Sequence, residues 1–183
     1  EGCNPIPLLA GLLDALPALC RQVAPKGLLR YTPVGFQAGG CNFGVSPGAG
    51  SLALTLRADR QQDIAALVQA MAAWLTARLP QGMSRSLEDR DVFPDTTNHA
   101  PLVDAGAAIL KQAGLSPRFL DAPMRWSEDF GHFLRAFPGF YLGLGAGESQ
   151  PGLHTPGYGF NDALLGPGLA VLWALAQGLM PPG

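Results

Sequence analysis

The sequence predicts a mixed α/β protein in two parts, and three observations support this prediction. Apolar residues recur at helical spacing in some segments and alternate with polar residues in others. The first hundred residues read as helix, strand, strand, helix, strand, which is the order of a ferredoxin-like α+β sandwich without its first strand. The later residues alternate helices and short strands, which is typical of helices packed on a sheet. We place the boundary between residues 1–97 and 98–183.

The composition favours a folded chain and excludes some classes of partner. Of 183 residues, 48% are hydrophobic and 14% are charged, and the net charge is −2. A chain of this length can bury a core, and it has no basic excess for binding nucleic acid. Cys3, Cys20 and Cys41 form no CxxC pair, so we expect no disulfide framework and a reducing, cytoplasmic compartment. The N-terminal residues have no basic region before an apolar run, so no signal peptide is expected.

The first part begins with a helix that Asn4 and Pro5 start and that Pro17 should kink or divide. The later elements are predicted in this order: strand 28–36, loop 37–43, strand 51–57, helix 60–79 and polar strand 83–93. Asp59 is placed to cap the second helix. The charges of the last strand suggest a sheet edge.

The second part is predicted to begin with a helix that Asn98 caps and that runs through Leu110. It is followed, in order, by a strand at 118–122, a short helix capped by Ser127, a buried strand at 140–144, a glycine loop and a final apolar helix. Residues 163–183 carry no charge and approach the length of a membrane span. Because Gly166-Pro167-Gly168 interrupts them and Gln177 lies among them, we favour a buried helix. Its predicted buried face contains Leu165, Leu169, Leu172 and Leu175.

Few residues point to chemistry when each is taken alone. His99, His132 and His154 are too scattered for an HxH or HExxH metal motif, and a lone histidine is more often structural. The glycines at 143, 145 and 147 lack the spacing of a dinucleotide-binding fingerprint.

Taken together, several segments form one ordered pattern. They are Ser127–Phe130, Pro138-Gly139, Leu144–Gly147 and Leu153-His154-x-Pro156-x-Tyr158-x-Phe160-Asn161-Asp162. This order resembles the C-terminal signature of M20-type metallopeptidases and amidohydrolases, a group with hippurate hydrolases and N-acyl amino acid deacylases. Weaker strings at 2–6 and 92–98 also fit, so the resemblance covers essentially the whole chain.

The resemblance implies a particular two-domain organisation. Residues 1–97 would be the lid and dimerisation domain, and residues 98–183 would be the distal part of an α/β, zinc-peptidase-like catalytic domain. The complete enzyme would bind a pair of divalent metals, namely zinc, manganese or cobalt. Most metal ligands and the general base belong to the family's N-terminal half, whose motifs do not occur in this sequence.

The function implied is hydrolysis of the amide bond of N-acyl amino acids or small peptides by metal-activated water. His154 is the one metal ligand that the resemblance assigns to this chain, and no catalytic base is expected in it. Substrate contacts are expected from Arg57, Asn42, Gly145, Gly147 and Asn161, although Arg57 could equally be an ordinary surface residue. The partners expected are the substrate and a second copy through the lid, with no nucleic acid or membrane.

Two other classes of function remain open at this stage. The chain could be a non-catalytic dimerisation or binding module derived from this family, which the missing base and ligands favour. It could also be an unrelated apolar-ligand or membrane-associated protein, which only the charge-free tail suggests.

Overall fold

A computed structural model describes residues 3–40, 42–124, 126 and 128–180. The chain divides into two compact units after Asp95. We call them the first unit, up to Asp95, and the second unit, from Thr96. This division lies close to the predicted boundary after residue 97.

The described residues of the first unit form two helices and one antiparallel sheet. In chain order, its elements are α1 (Ile6–Val23), β1 (Leu29–Ala38), β2 (Gly50–Ala58) and α2 (Gln61–Thr76). The two strands pair from Leu29 opposite Ala58 to Ala38 opposite Gly50, with a bulge between Pro33 and Gly35. Both strands and both helices were therefore predicted in the right order. The structure extends the first strand into the predicted loop.

The core of the first unit lies between its helices and one face of the sheet. Its buried side chains are Leu12, Leu16, Leu67, Met71 and Leu75, and the sheet contributes Tyr31, Leu52, Leu54 and Leu56. The buried residues of each helix are four apart, so they form one stripe along it. Pro17 does not divide α1, since the helix runs through it. Pro17 is exposed, so water can hydrate the carbonyl that loses its partner.

Two predictions for the first unit were wrong. Residues 83–93 form no strand, so the expected sandwich lacks this element and the order ends at helix, strand, strand, helix. Their charged side chains are exposed, and Asp91 has a φ of 50°, which a strand does not accommodate. Asp59 does not cap α2, because its Oδ2 accepts a hydrogen bond from Leu28 N at 3.0 Å and joins the ends of the two strands.

The second unit is built from helices and irregular segments. Its elements are α3 (Ala100–Gln112), α4 (Phe130–Ala136), a 3₁₀ turn (Asp162–Leu164) and α5 (Leu165–Leu179). Leu110, Val171 and Leu175 are buried between α3 and α5, with Ile109 and Phe140 against them. Gly114, with a φ of 77°, ends α3 as expected for a glycine C-cap.

The strands predicted at 118–122 and 140–144 do not form in the second unit. A strand needs a neighbouring backbone as hydrogen-bond partner, and the sheet of the described residues contains β1 and β2 alone. Tyr141, Leu142 and Leu144 are exposed, so the prediction of a buried strand was also wrong. The predicted cap Ser127 lies outside the described residues.

The final helix forms, and one residue of its predicted buried face, Leu175, is buried, whereas the prediction was wrong for the other three. Leu165, Leu169 and Leu172 are 62%, 68% and 67% exposed, whereas Val171 and Leu175 face the core. The helix is apolar all round, so spacing alone could not choose its buried side. Among the described residues, Ile6–Val23 and Asp162–Leu179 are long and apolar enough to cross a membrane by composition alone. Soluble core helices meet the same criterion, and Leu12 and Leu16 place α1 in a core.

Candidate functional site

The candidate residues of the second unit lie on one irregular stretch, residues 140–161, which we call the site segment. It contains no helix or strand. At one end, Phe140 packs against the core between α3 and α5. At the other end, Asn161 Oδ1 accepts a hydrogen bond from Ala163 N at 3.1 Å and caps the 3₁₀ turn. The site segment is therefore anchored at both ends.

His154 lies in an exposed loop of the site segment, and its backbone is left-handed with a φ of 63°. This conformation is uncommon outside glycine, although Asn, Asp and His adopt it more often than other residues. The carbonyl of Gly152 accepts bonds from Thr155 N at 3.3 Å and Thr155 Oγ1 at 2.8 Å, which closes a turn around His154. The loop thus presents an imidazole to solvent on a defined turn.

Gly145 and Gly147 precede this loop in the site segment. A Cβ at either position would meet no atom within 4 Å, so neither glycine is required by a close neighbour. Gly147 has a φ of 93°, which other residues rarely adopt, so its backbone conformation calls for glycine.

Asn98 binds the site segment. The sequence had predicted that Asn98 would cap α3, but its side chain makes no capping hydrogen bond to that helix. Its Oδ1 accepts a hydrogen bond from Tyr141 N at 2.7 Å, and its Nδ2 donates to Tyr141 O at 3.2 Å. Next to it, His99 N donates to Gly139 O at 2.8 Å. Asn98 belonged to the weaker family string at 92–98, but its partner could not be read from the sequence.

Tyr141 is also held through its side chain. Its ring centroid lies 5.4 Å from that of Phe130, and the phenol hydrogen-bonds the carboxylate of Glu128. Burial, followed by the charge and hydrogen bond of Glu128, raises the pKa of Tyr141. Sequence analysis missed this contact, because it considered Glu128 only as part of the motif Ser127–Phe130.

Gln150 is a second residue that sequence analysis missed. Its Nε2 donates a hydrogen bond to Gly159 O at 2.7 Å, across the loop that contains His154. No motif signals it, because Gln150 lies in the unmatched stretch between Gly147 and Leu153.

The candidate residues of the first unit lie at opposite ends of its sheet. Asn42 lies in the connection between β1 and β2, and its carbonyl accepts a bond from Val45 N at 3.4 Å. Arg57 is the second-last residue of β2, exposed and opposite Arg30. At about 3.3 Å per residue, the strand from Gly50 to Arg57 spans about 23 Å. The structure does not bring Asn42 and Arg57 together.

The described residues do not provide a complete metal site. In residues 3–40, 42–124, 126 and 128–180, no group of three or more His, Cys, Asp or Glu side chains is placed to hold a metal ion. Imidazole is a suitable ligand for zinc, manganese or cobalt, but a metal site needs at least three protein ligands. The expected metal pair therefore does not fit the described residues by themselves.

An open groove of about 460 Å³ lies between the start of α3 and the end of α4. Asn98, His99 and Arg135 are among its lining residues, whereas His154 and the glycine loop are not. The groove is therefore lined by Asn98, which binds the backbone of Tyr141, and not by the candidate metal ligand His154.

The site segment and its ordered motifs define the class to which the chain belongs. The sequence profile described as peptidase family M20/M25/M40 matches residues 9–178. The chain therefore belongs to this family, as the sequence signature had indicated, and the family consists of peptidases and related hydrolases that generally use divalent metals. Comparison with curated proteins and with solved structures gave no significant match.

Proposed function

We propose that this chain is part of a metal-dependent amidohydrolase or peptidase that hydrolyses the amide bond of N-acyl amino acids or small peptides. The observation that carries the proposal is the family match over residues 9–178, which includes all of the site segment. His154 is the metal ligand that the chain contributes. Its exposed side chain, on a turn closed by Thr155, supports this role.

The other ligands and the general base come from a separate segment of polypeptide, which we call the metal-bearing segment. The incomplete ligand set of the described residues supports this step. Exposed apolar surface on the second unit supports it independently, because large apolar patches usually mark contact sites. Its exposed residues include Leu142, Leu144, Leu165, Leu169, Leu172 and Trp173. The complete enzyme is the chain together with the metal-bearing segment.

A substrate carboxylate would be bound by Arg57, whose guanidinium matches a carboxylate in shape and charge. Asn42 lies in the connection between β1 and β2, at the far end of a strand that spans about 23 Å from Gly50 to Arg57, which is longer than a small N-acyl amino acid. Within one copy, the two residues would therefore not bind the same substrate molecule. Gly145, Gly147 and Asn161 would form the wall of the site beside His154.

Pairing of two copies would occur through the first unit. Among the described residues its sheet has two strands, so each strand has one edge that no other described strand pairs with. The predicted edge strand at 83–93 does not form, so these two edges replace it as the pairing surface. Light scattering of the chain should show a dimer, and a monomer at high concentration would contradict this.

The test compares the chain with the complete enzyme, using an N-acyl amino acid as substrate and zinc as metal. The chain alone should show neither turnover nor stoichiometric zinc. In the complete enzyme, His154→Ala should lower zinc content and reduce turnover by about a hundredfold or more, because replacing even the outer-shell partners of metal ligands commonly costs ten- to a hundredfold. His132→Ala, also exposed and in the same unit, is the control and should retain both. Normal zinc content in the His154 variant would contradict the assignment.

The second candidate function is a non-catalytic module derived from the family. The incomplete ligand set of the described residues favours it. It predicts that the chain still pairs or binds N-acyl amino acids while no added metal-bearing segment restores turnover.

A further inference from the structure

The site segment keeps its conformation without regular secondary structure. Residues 140–161 form no helix or strand, yet they carry Gly145, Gly147 and His154. Backbone N–H and C=O groups outside helices and sheets need other partners. Two side-chain amides, from Asn98 and Gln150, bind this backbone on either side of the glycine loop and His154.

Asn98 holds the part of the segment that leads into the glycine loop. It bonds both the N–H and the C=O of Tyr141, at 2.7 and 3.2 Å, as a neighbouring strand would do. Two bonds to one residue fix the direction of the backbone as well as its position. Phe130 and Glu128 hold the ring and phenol of the same tyrosine, so residues 142–144 start from a fixed point.

Gln150 holds the part of the segment that contains His154. Its bond to Gly159 O spans nine positions in sequence, whereas the turn bonds of Thr155 and Tyr158 within this loop span three. The short turns shape the loop locally, and the Gln150 amide closes it around them. Gln150 N also donates to Gly147 O at 3.4 Å, which joins the closed loop to the glycine loop.

We infer that Asn98 and Gln150 are positioning residues of this site. They act through Tyr141 and Gly159 to keep the glycine loop and His154 in one arrangement. The inference rests on the proposed function for the role of His154, and it goes beyond it because the proposed function gives neither amide a role. Residues that orient a metal ligand commonly change metal affinity ten- to a hundredfold when they are replaced.

The first test measures loop order in the ¹⁵N-labelled 183-residue chain by NMR relaxation. Asn98→Asp keeps the oxygen that accepts from Tyr141 N but removes the donor to Tyr141 O. Gln150→Glu removes the donor to Gly159 O. Order parameters of the amides from 143 to 158 should fall from about 0.85 to below about 0.6 in each variant. Gln150→Lys restores an N–H donor and should recover the order around His154. If Asn98→Asp unfolds the second unit, Gln150→Glu and its rescue decide.

The matched controls make the same chemical changes in the first unit. Gln69→Glu lies on the exposed side of α2, and Asn4→Asp keeps the oxygen that accepts from Ile6 N. Both should leave the site segment unchanged. Unchanged order in the Asn98 and Gln150 variants would overturn the inference.

The second test is zinc affinity of the complete enzyme, measured by competition with a chelator. Gln150→Glu should weaken zinc binding about tenfold. A disordered loop with unchanged zinc affinity would show that the amides stabilise the loop without positioning the ligand, which overturns the inference. If His154→Ala leaves zinc binding unchanged, the proposed function fails, whereas the relaxation result still stands by itself. The two failures are therefore distinguishable.

Discussion

The two units bury their apolar residues to very different extents. In the first unit, two helices and a sheet enclose Leu16 and Leu67 completely. In the second unit, the core is a narrow seam between α3 and α5, and the site segment beside it is irregular. The difference teaches that regular packing and the candidate metal ligand, His154, are separated in this chain. The first unit gains stability from burial, whereas the second leaves apolar side chains and backbone exposed around His154.

The largest expected effect contrasts one buried leucine with one exposed leucine. Leu67→Ala should lower the free energy of unfolding of the first unit by about 2–5 kcal/mol, because it removes a fully buried side chain and leaves a cavity. Leu172→Ala, at a position that is 67% exposed, should change that of the second unit by less than about 0.5 kcal/mol. Urea unfolding followed separately for each unit would measure both. Equal losses of unfolding free energy in the two variants would contradict the expected difference between the buried and the exposed leucine.

The next effect concerns the narrow core of the second unit. A Cβ at Gly106 would lie 2.6 Å from Phe140 Cζ, so Gly106→Ala must displace the ring that anchors the site segment. We expect a loss of about 1–3 kcal/mol, which is typical of overpacking. Gly166→Ala is the control, because its Cβ would meet no atom within 4 Å. Equal losses of thermal stability in the two variants would show that the Phe140 ring moves aside without a measurable loss of stability.

A smaller effect separates a half-buried from an exposed ion pair in the first unit. Arg60 Nε lies 3.0 Å from Asp63 Oδ2, and the Asp63 side chain is 8% exposed. Arg60→Ala removes the guanidinium partner of a buried carboxylate, and because the Arg60 side chain is 58% exposed, it should cost about 0.5–1.5 kcal/mol. Arg90→Ala breaks a pair with Glu88 whose side chains are 78% and 70% exposed, and should cost less than about 0.5 kcal/mol. Urea unfolding midpoints of the two variants and the parent chain, measured at low and high salt, would compare the two losses of stability.

The smallest effect is a pH dependence of the second unit. Burial and Glu128 raise the pKa of Tyr141 above its unfolded value, so folding favours the protonated phenol. The corresponding stability is complete below the unfolded pKa of about 10 and is lost as the pH rises through the folded pKa. Tyr141→Phe should therefore lose less stability than the parent chain between about pH 9 and pH 11. Parallel pH curves for the two proteins would contradict this.

Local chemistry determined the order of helices and strands in the first unit and the C-terminal end of α3, at Gly114. The alternation 52, 54, 56 fixes β2 because successive strand residues face opposite sides. The spacing of Leu67, Met71 and Leu75 fixes the buried stripe of α2 in the same way. The family signature, His154 included, is also a property of the sequence alone, since each of its motifs is a short run of neighbouring residues.

Tertiary structure decided what depends on partners distant in sequence. Residues 140–144 have the composition of a strand, but a strand forms only where another backbone completes its hydrogen bonds. The apolar α5 has no polar side to mark its solvent face, so only packing against α3 selected Val171 and Leu175. Asn98 satisfies the rule for a helix cap, yet its amide binds Tyr141, 43 positions away. Contacts between residues within a turn or two of each other can be predicted from the sequence. A contact between residues 43 positions apart depends on how the whole unit folds.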